Sequence, residues 1–279
     1  MKIESYFNIG QRHIYEGTPC EDYATSGVFN NKCFGVISDG CSGANARTDI
    51  GARAWCLAAE RVLEKYYDST LIPDNFTQEL IEIFKENRLT KNVQEELASL
   101  LVLIANRKEA NIWIMGDGGY ALLHNNGDIT LTSYKWEGNM PFYPTYLLEN
   151  AAIKAFEKKS KECGTIINIT KVRFNFNNEN KIIIKDHSFS KQPFEFLKNG
   201  ITISINRENE DVKAIALLSD GLWSFSDLSP YLAVSHCLEE SEESLFRKHM
   251  VNVLLHWYEK ETIHKDDLSI VKFEWINKK

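Results

Sequence analysis

The chain has 279 residues, 43% of them apolar and 11% aromatic, and a formal charge of −7. That length and apolar content suit one globular domain with a sizeable core. The acidic balance argues against a general nucleic-acid binder, which needs a basic surface. It still admits a phosphorylated substrate, because a bound metal can reverse the local field. Cys20, Cys33, Cys41, Cys56, Cys163 and Cys237 form no Cys-x-x-Cys pair, so neither a structural zinc site nor a secreted disulfide framework is expected. Met1 to Ser5 lack the apolar core of a signal peptide. No stretch approaches the ~20 apolar residues of a membrane span. The expectation is a cytoplasmic protein with neither a membrane nor a nucleic-acid partner.

The start reads as β, with a hairpin over Val28 to Phe34 and Asn30-Asn31-Lys32 at its tip. Ala44 to Tyr67 reads as a long helix, because Ile50, Ala54, Leu57, Ala58, Val62 and Leu63 recur at helical spacing. Arg53, Arg61 and Lys65 fall on its wet face. A second helix starts near Pro73-Asp74-Asn75 and uses Leu80, Ile81 and Phe84. Short apolar runs follow at 100–105, 111–115, 120–124 and 129–132, separated by glycine- and asparagine-rich turns, and read as an antiparallel meander. The polar segment 174–180 reads as a loop. Strands are expected at 181–185, 201–205 and 212–218, helices at 227–238 and 241–258, and a last strand over 268–275. Phe142, Tyr143 and Tyr146 read as core, with a lid as the alternative. Helices are segregated from hairpin-connected strands, so the fold class is α+β, with antiparallel sheets flanked by helices, in a single domain over 1–279.

Chemistry concentrates at strand ends. Phe34 to Gly40 and Ile215 to Gly221 are both apolar runs that stop in Ser-Asp-Gly. Each places a carboxylate where a strand leaves the core, and glycine after it suits a turn that needs φ > 0. Glu21-Asp22 lies upstream, Gly116-Asp117-Gly118 in the middle, and Asp266-Asp267 just before the last strand. A lone Asp-Gly is an ordinary turn. Carboxylates at several strand ends are what a hard cation such as Mg²⁺ or Mn²⁺ requires, because these ions take oxygen ligands.

Taken in order, Glu21-Asp22, Asp39-Gly40, Gly116-Asp117-Gly118, Asp220-Gly221 and Asp266-Asp267-Leu268-Ser269 resemble the metal-dependent serine/threonine protein phosphatases of type 2C. Gly10-x-x-His13, Gly17-x-Pro19-Cys20-x-Asp22 and the small residues Cys41 to Ala44 are most similar to a divergent bacterial branch. The resemblance implies two stacked antiparallel β-sheets with helices on both outer faces (an α-β-β-α sandwich). It implies two Mn²⁺ or Mg²⁺ ions, with a third possible. Asp39 would bridge two of them, the Gly40 carbonyl would bind one, and Asp220 and Asp266 would complete the other. Glu21 and Asp22 would hold metal waters, and Asp117 matches the third-ion position. Two ions roughly 3.5–4 Å apart share and activate a water for in-line attack on phosphorus. The implied partner is a phosphorylated protein, with a cognate Ser/Thr kinase possible.

The chain departs from the commoner pattern at two points. The phosphate-clamping arginine four residues before Glu21 is replaced by Gly17, with Arg12 and Arg47 as candidate substitutes. The histidine after the first Asp-Gly is Cys41, a poorer proton donor near neutral pH, with His13 as the candidate replacement. The site residues expected to do chemistry are therefore Asp39, Asp22 and His13. Two other functions stay open: an inactive phosphatase-like module that binds a phosphorylated partner, and a hydrolase of small phosphate esters.

Overall fold

The structure, a computed structural model, describes residues 1–42, 47–66, 71–90, 92–163, 166–176, 181–239 and 246–276. Strand β1 (Lys2–Asn8) leads into the short helix α1 (Gln11–Glu16), then the hairpin β2 (Asp22–Phe29) and β3 (Lys32–Gly40). Helices α2 (Thr48–Lys65) and α3 (Phe76–Glu86) follow, then β4 (Ala98–Ala105), β5 (Glu109–Met115), β6 (Gly118–His124) and β7 (Ile129–Trp136). Helix α4 (Asn150–Cys163) precedes β8 (Ile166–Phe176), β9 (Ile182–Pro193), β10 (Ile201–Asn206) and β11 (Val212–Leu218). Helices α5 (Pro230–Leu238) and α6 (Phe246–Glu259) and strand β12 (Leu268–Glu274) complete the described elements.

The strands form two antiparallel sheets, one of seven in the order β1-β12-β11-β6-β7-β8-β9 and one of five in the order β10-β5-β4-β3-β2. Helices α2 and α3 share the core of the five-stranded sheet, and α5 and α6 share a second core with the seven-stranded sheet. Strand β11 shows why both cores form. Its run from Ala214 to Leu218 is apolar throughout, and because side chains alternate, Ile215 and Leu217 face the other sheet. Ala214, Ala216 and Leu218 face the helices instead. A strand covered on both faces needs this continuous apolar pattern. The α+β sandwich expected from the sequence is the fold observed. No helix among the described residues is long and apolar enough to cross a membrane, which leaves strand-built spans out of account.

Several local expectations change. The long helix begins at Thr48 and ends at Lys65, and residues 44–46 and 67 of its expected span lie outside the described residues. The expected loop over 174–180 is strand β8 as far as Phe176, because Phe174 is buried against Tyr231; residues 177–180 lie outside the described residues. The expected helix at 241–258 is described from Phe246. Helix α4 is not among the expected elements, and Phe156 is its one buried apolar side chain among the described residues. The meander also divides, with β4 and β5 in the smaller sheet and β6 and β7 in the larger. The chain changes sheets at Gly116-Asp117-Gly118, where both glycines have positive φ, 101° and 113°. The switch thus uses backbone that glycine adopts cheaply.

The sheets approach closely at Gly35 of β3. A Cβ there would lie 2.3 Å from Val271 Cγ1 on β12, inside the buried core. Gly35→Ala should therefore destabilise the fold by about 1–3 kcal/mol, as overpacked cores do. Urea denaturation checks this, and an unchanged midpoint would mean that the two sheets are not packed to contact there.

Candidate active site

Each Ser-Asp-Gly step works as a strand end with the serine as its tie. Ser38 Oγ donates to the Ser99 carbonyl at 2.7 Å. Ser219 Oγ accepts from the Ser269 N–H at 2.8 Å, while the Ser219 N–H donates to the Ser269 carbonyl. With the serines fixed, the next residue in each case, Asp39 or Asp220, leaves the core at the same end of the sandwich. Asp22 pairs across from Asp39 in the β2–β3 register. Asp266 precedes β12, which runs antiparallel to β11 and so starts where β11 stops. Asp117 lies on the crossing between sheets. The glycine after Asp220 is required by close approach, not by positive φ: a Cβ on Gly221 would lie 1.6 Å from the Asp267 carbonyl oxygen.

These ends enclose a cleft of about 470 Å³ lined by Asp39, Gly40, Asp117, Asp220 and Asp266, together with Arg12, Cys41, Asn139 and Tyr143. Burial raises the Asp39 carboxyl well above the usual range, and the charges of Asp22, Asp220, Asp117 and Asp266 add to it. Burial, then Asp220, pushes Asp117 up to about 8. Asp220 is raised by burial, an effect that a hydrogen bond with Asp39 partly offsets. Like charges crowded in a poorly solvated place hold protons unless a cation neutralises them.

Glu21, Asp22 and His13 lie behind the lining. Asp22 is 1% exposed, and burial also raises its carboxyl well above the usual range. Asp267 occupies this second layer as well. Its buried carboxylate accepts from the Gly10 N–H at 2.6 Å, the Glu21 N–H at 2.5 Å and His13 Nδ1 at 2.8 Å. The adjacent acids Asp266 and Asp267 thus divide, one toward the cleft and one toward the interior. Of the two candidate arginines, Arg12 lines the cleft, whereas Arg47 makes a two-pronged pair with Asp49 beside the start of α2. Sequence reasoning missed Asn139 and the hub role of Asp267. It read Tyr143 as core with a lid as the alternative, and Tyr143 is buried while it also lines the cleft.

The residues fit hard divalent cations. The side chains that converge are carboxylates, and Asp22 Oδ2 and Glu21 Oε2 are buried without a hydrogen bond. Among the described residues no three His, Cys, Asp or Glu side chains are set to hold one ion by themselves. Mg²⁺ usually keeps several waters and takes one or two carboxylates, so carboxylates spread around a cleft suit hydrated ions better than a closed cage.

Comparison with known proteins identifies the family. The protein phosphatase 2C family model matches residues 9–259. The chain belongs to that family. Its fold is similar to that of a bacterial serine phosphatase, at 13% identity and a TM-score of 0.56, with 100% of this chain and 99% of that one covered. It is likewise similar to the serine/threonine phosphatase Stp1 from Staphylococcus aureus, at 14% identity and a TM-score of 0.55, with 100% and 96% covered. A C. elegans sex-determining protein aligns at 11% identity and a TM-score of 0.56, over 99% of this chain and 65% of that one. A comparison with curated protein sequences returned no match.

The raised carboxyls set a pH dependence. Each favours the folded state when protonated, so its contribution is complete below the unfolded value near ~4. It is lost as pH rises through the folded value, about 8 for Asp117. The melting temperature of chelator-treated protein should therefore fall between roughly pH 4 and pH 8, and Mn²⁺ should restore it most at the upper end, where no proton competes. Scanning calorimetry with and without chelator tests this. A metal-free melting temperature that rises over that range would contradict the charge clustering.

Proposed function

We propose that this phosphatase 2C family member hydrolyses phosphoserine and phosphothreonine esters on a protein partner with the help of Mn²⁺ or Mg²⁺. The single observation that carries this reading is the convergence of Asp39, Asp117, Asp220 and Asp266 from separate strand ends on one cleft. Asp39, the Gly40 carbonyl, Asp220 and Asp266 would hold two ions, with Asp117 available to a third. Such ions, when bound, lower the pKa of water and neutralise phosphate oxygens, which supplies the nucleophile and the charge stabilisation together.

The chain's own residues do the rest. The backing residues Glu21 and Asp22 each keep one carboxylate oxygen without a hydrogen bond, available to accept from waters around the ions, with Glu21 Oε2 3.5 Å from His13 Nε2. Asp22, beside Asp39, is the candidate to hold a proton during turnover. His13, the other sequence candidate for proton transfer, is 3% exposed and has both ring nitrogens engaged by neighbours. That favours a fixed role for it over release of a proton to a leaving group. The cleft of about 470 Å³ has room for a phosphorylated side chain presented by another protein, and a kinase that makes the substrate is the implied counterpart. Cys20, Cys33, Cys41, Cys56 and Cys237 are free thiols, which suits the cytoplasm.

Cys41 at the cleft favours a second reading, a binding module that grips a phosphorylated partner without turning it over. One experiment separates the two. Hydrolysis of a phosphothreonine peptide and of p-nitrophenyl phosphate is measured with Mn²⁺, with Mg²⁺ and with chelator. The proposed function expects turnover that requires metal and drops about 10³-fold in Asp39→Asn. The metal-free melting temperature of that variant should be no lower than the wild type's, since one repelled buried charge is removed. Preference for the small ester would redirect the substrate class. Absence of turnover from folded, metal-loaded protein would leave the binding module.

A further inference from the structure

Arg12 is the one cationic side chain lining the acidic cleft among the described residues. Its main chain is pinned, since the Arg12 N–H donates to the Lys265 carbonyl and the Gln11 N–H to the His264 carbonyl. Helix α1 is thereby docked on the segment that carries Asp266 and Asp267. The Arg12 side chain is 44% exposed. Its Nη2 lies 3.0 Å from His13 Nε2 and 3.4 Å from Asp266 Oδ1. A guanidinium always donates, so the 3.0 Å contact assigns Nε2 of His13 as acceptor. The ring proton then sits on Nδ1 and goes to Asp267 Oδ2 at 2.8 Å. A buried carboxylate fixes an imidazole, and the imidazole fixes a guanidinium at the cleft.

Both Arg12 contacts use Nη2, and the Asp266 contact exceeds the ~2.7–2.9 Å of a strong charge-assisted bond. The remaining N–H groups of the fork are available to an anion. At Gly17, where the commoner pattern has an arginine, φ is 70° and a Cβ would meet nothing within 4 Å. A side chain there would be strained and directed into open space.

We propose, building on the phosphatase reading, that the Asp267–His13–Arg12 chain is this protein's device for receiving a phosphate group. Arg12 contacts the phosphate oxygens, and His13 is a positioning residue that aims it. Arginine is suited to this because its planar fork matches two oxygens at once.

Inorganic phosphate is the probe. Its binding to Mn²⁺-loaded protein is measured by titration calorimetry, beside KM and kcat on a phosphothreonine peptide. Arg12→Ala should weaken phosphate binding and raise KM by about 10- to 100-fold, the range for a lost hydrogen bond to a charged group. Mn²⁺ affinity should not weaken, since a cation next to Asp266 has been removed. Arg12→Lys should recover part of the loss, because it keeps the charge without the fork. His13→Asn retains a donor for Asp267 but nothing that reaches Arg12. It should weaken phosphate binding about threefold to tenfold while keeping Mn²⁺ affinity, an outcome that a purely structural role would not give. Arg47→Ala, at the exposed α2 end, should match the wild type.

Wild-type phosphate affinity in Arg12→Ala overturns the proposal, as does a loss confined to Arg47→Ala. Wild-type affinity in His13→Asn overturns the aiming role, and should that variant not fold, Arg12→Lys against Arg12→Ala decides. Failure of the phosphatase reading looks different: no peptide turnover in the wild type at all. In that case phosphate calorimetry still judges Arg12, and a wild type that binds no phosphate overturns this proposal too.

Discussion

The arrangement at the cleft depends on the buried carboxylate of Asp267. It accepts from two backbone N–H groups and one imidazole, and its partners come from the β1–α1 corner and the start of β2. Those places are far apart in sequence from β12. Three chain segments are thus held by one acceptor with two oxygens. Charge-assisted hydrogen bonds are the stronger kind, and in this dry position no water competes for them. Asp22 next to Glu21, Asp266 next to Asp267 and Arg12 next to His13 all take their places from this knot.

Against that ordered layer stands an acidic lining that is poorly satisfied. Asp39, Asp117 and Asp220 are raised first by burial and then by neighbouring aspartates, Asp22 and Asp220 acting on Asp39, Asp220 on Asp117 and Asp266 on Asp220. A sequence selected only for stability would not gather them. Local conflict of this kind marks function in a chain that is otherwise consistent. The conflict is also useful, because a preformed concentration of negative charge needs little rearrangement when a cation arrives.

The parts of this picture differ in how far they could be read in advance. Asp39 and Asp220 were legible because an apolar run, a serine and an Asp-Gly turn are all local signals. The choice between Asp266 and Asp267 was not, because it depends on which face of β12 each residue joins. Arg12 and Arg47 look alike in sequence; only the docking of α1 on residues 264–267 separates them. Helix α1 itself is six residues between two glycines, too short for periodicity to show. The run from β4 to β7 reads the same whether a turn closes a hairpin or carries the chain to another sheet. Positive φ at Gly116 and Gly118 decides that, and the sequence offered only the glycines. The family pattern supplied what periodicity lacked, namely that these separate acids belong together.

Asp39 and Asp22 belong to the five-stranded sheet, whereas Asp220 and Asp266 are attached to strands of the seven-stranded one, with Asp117 on the link between them. The mouth of the cleft is therefore a caliper whose jaws are the two sheets. Its gap is set by core side chains well below it, including the near contact of Gly35 with Val271. An ion held by carboxylates of both jaws would fasten the layers to each other. Packing deep in the sandwich and the spacing of charges at its rim are then one variable, so a substitution that never reaches the cleft can still retune it.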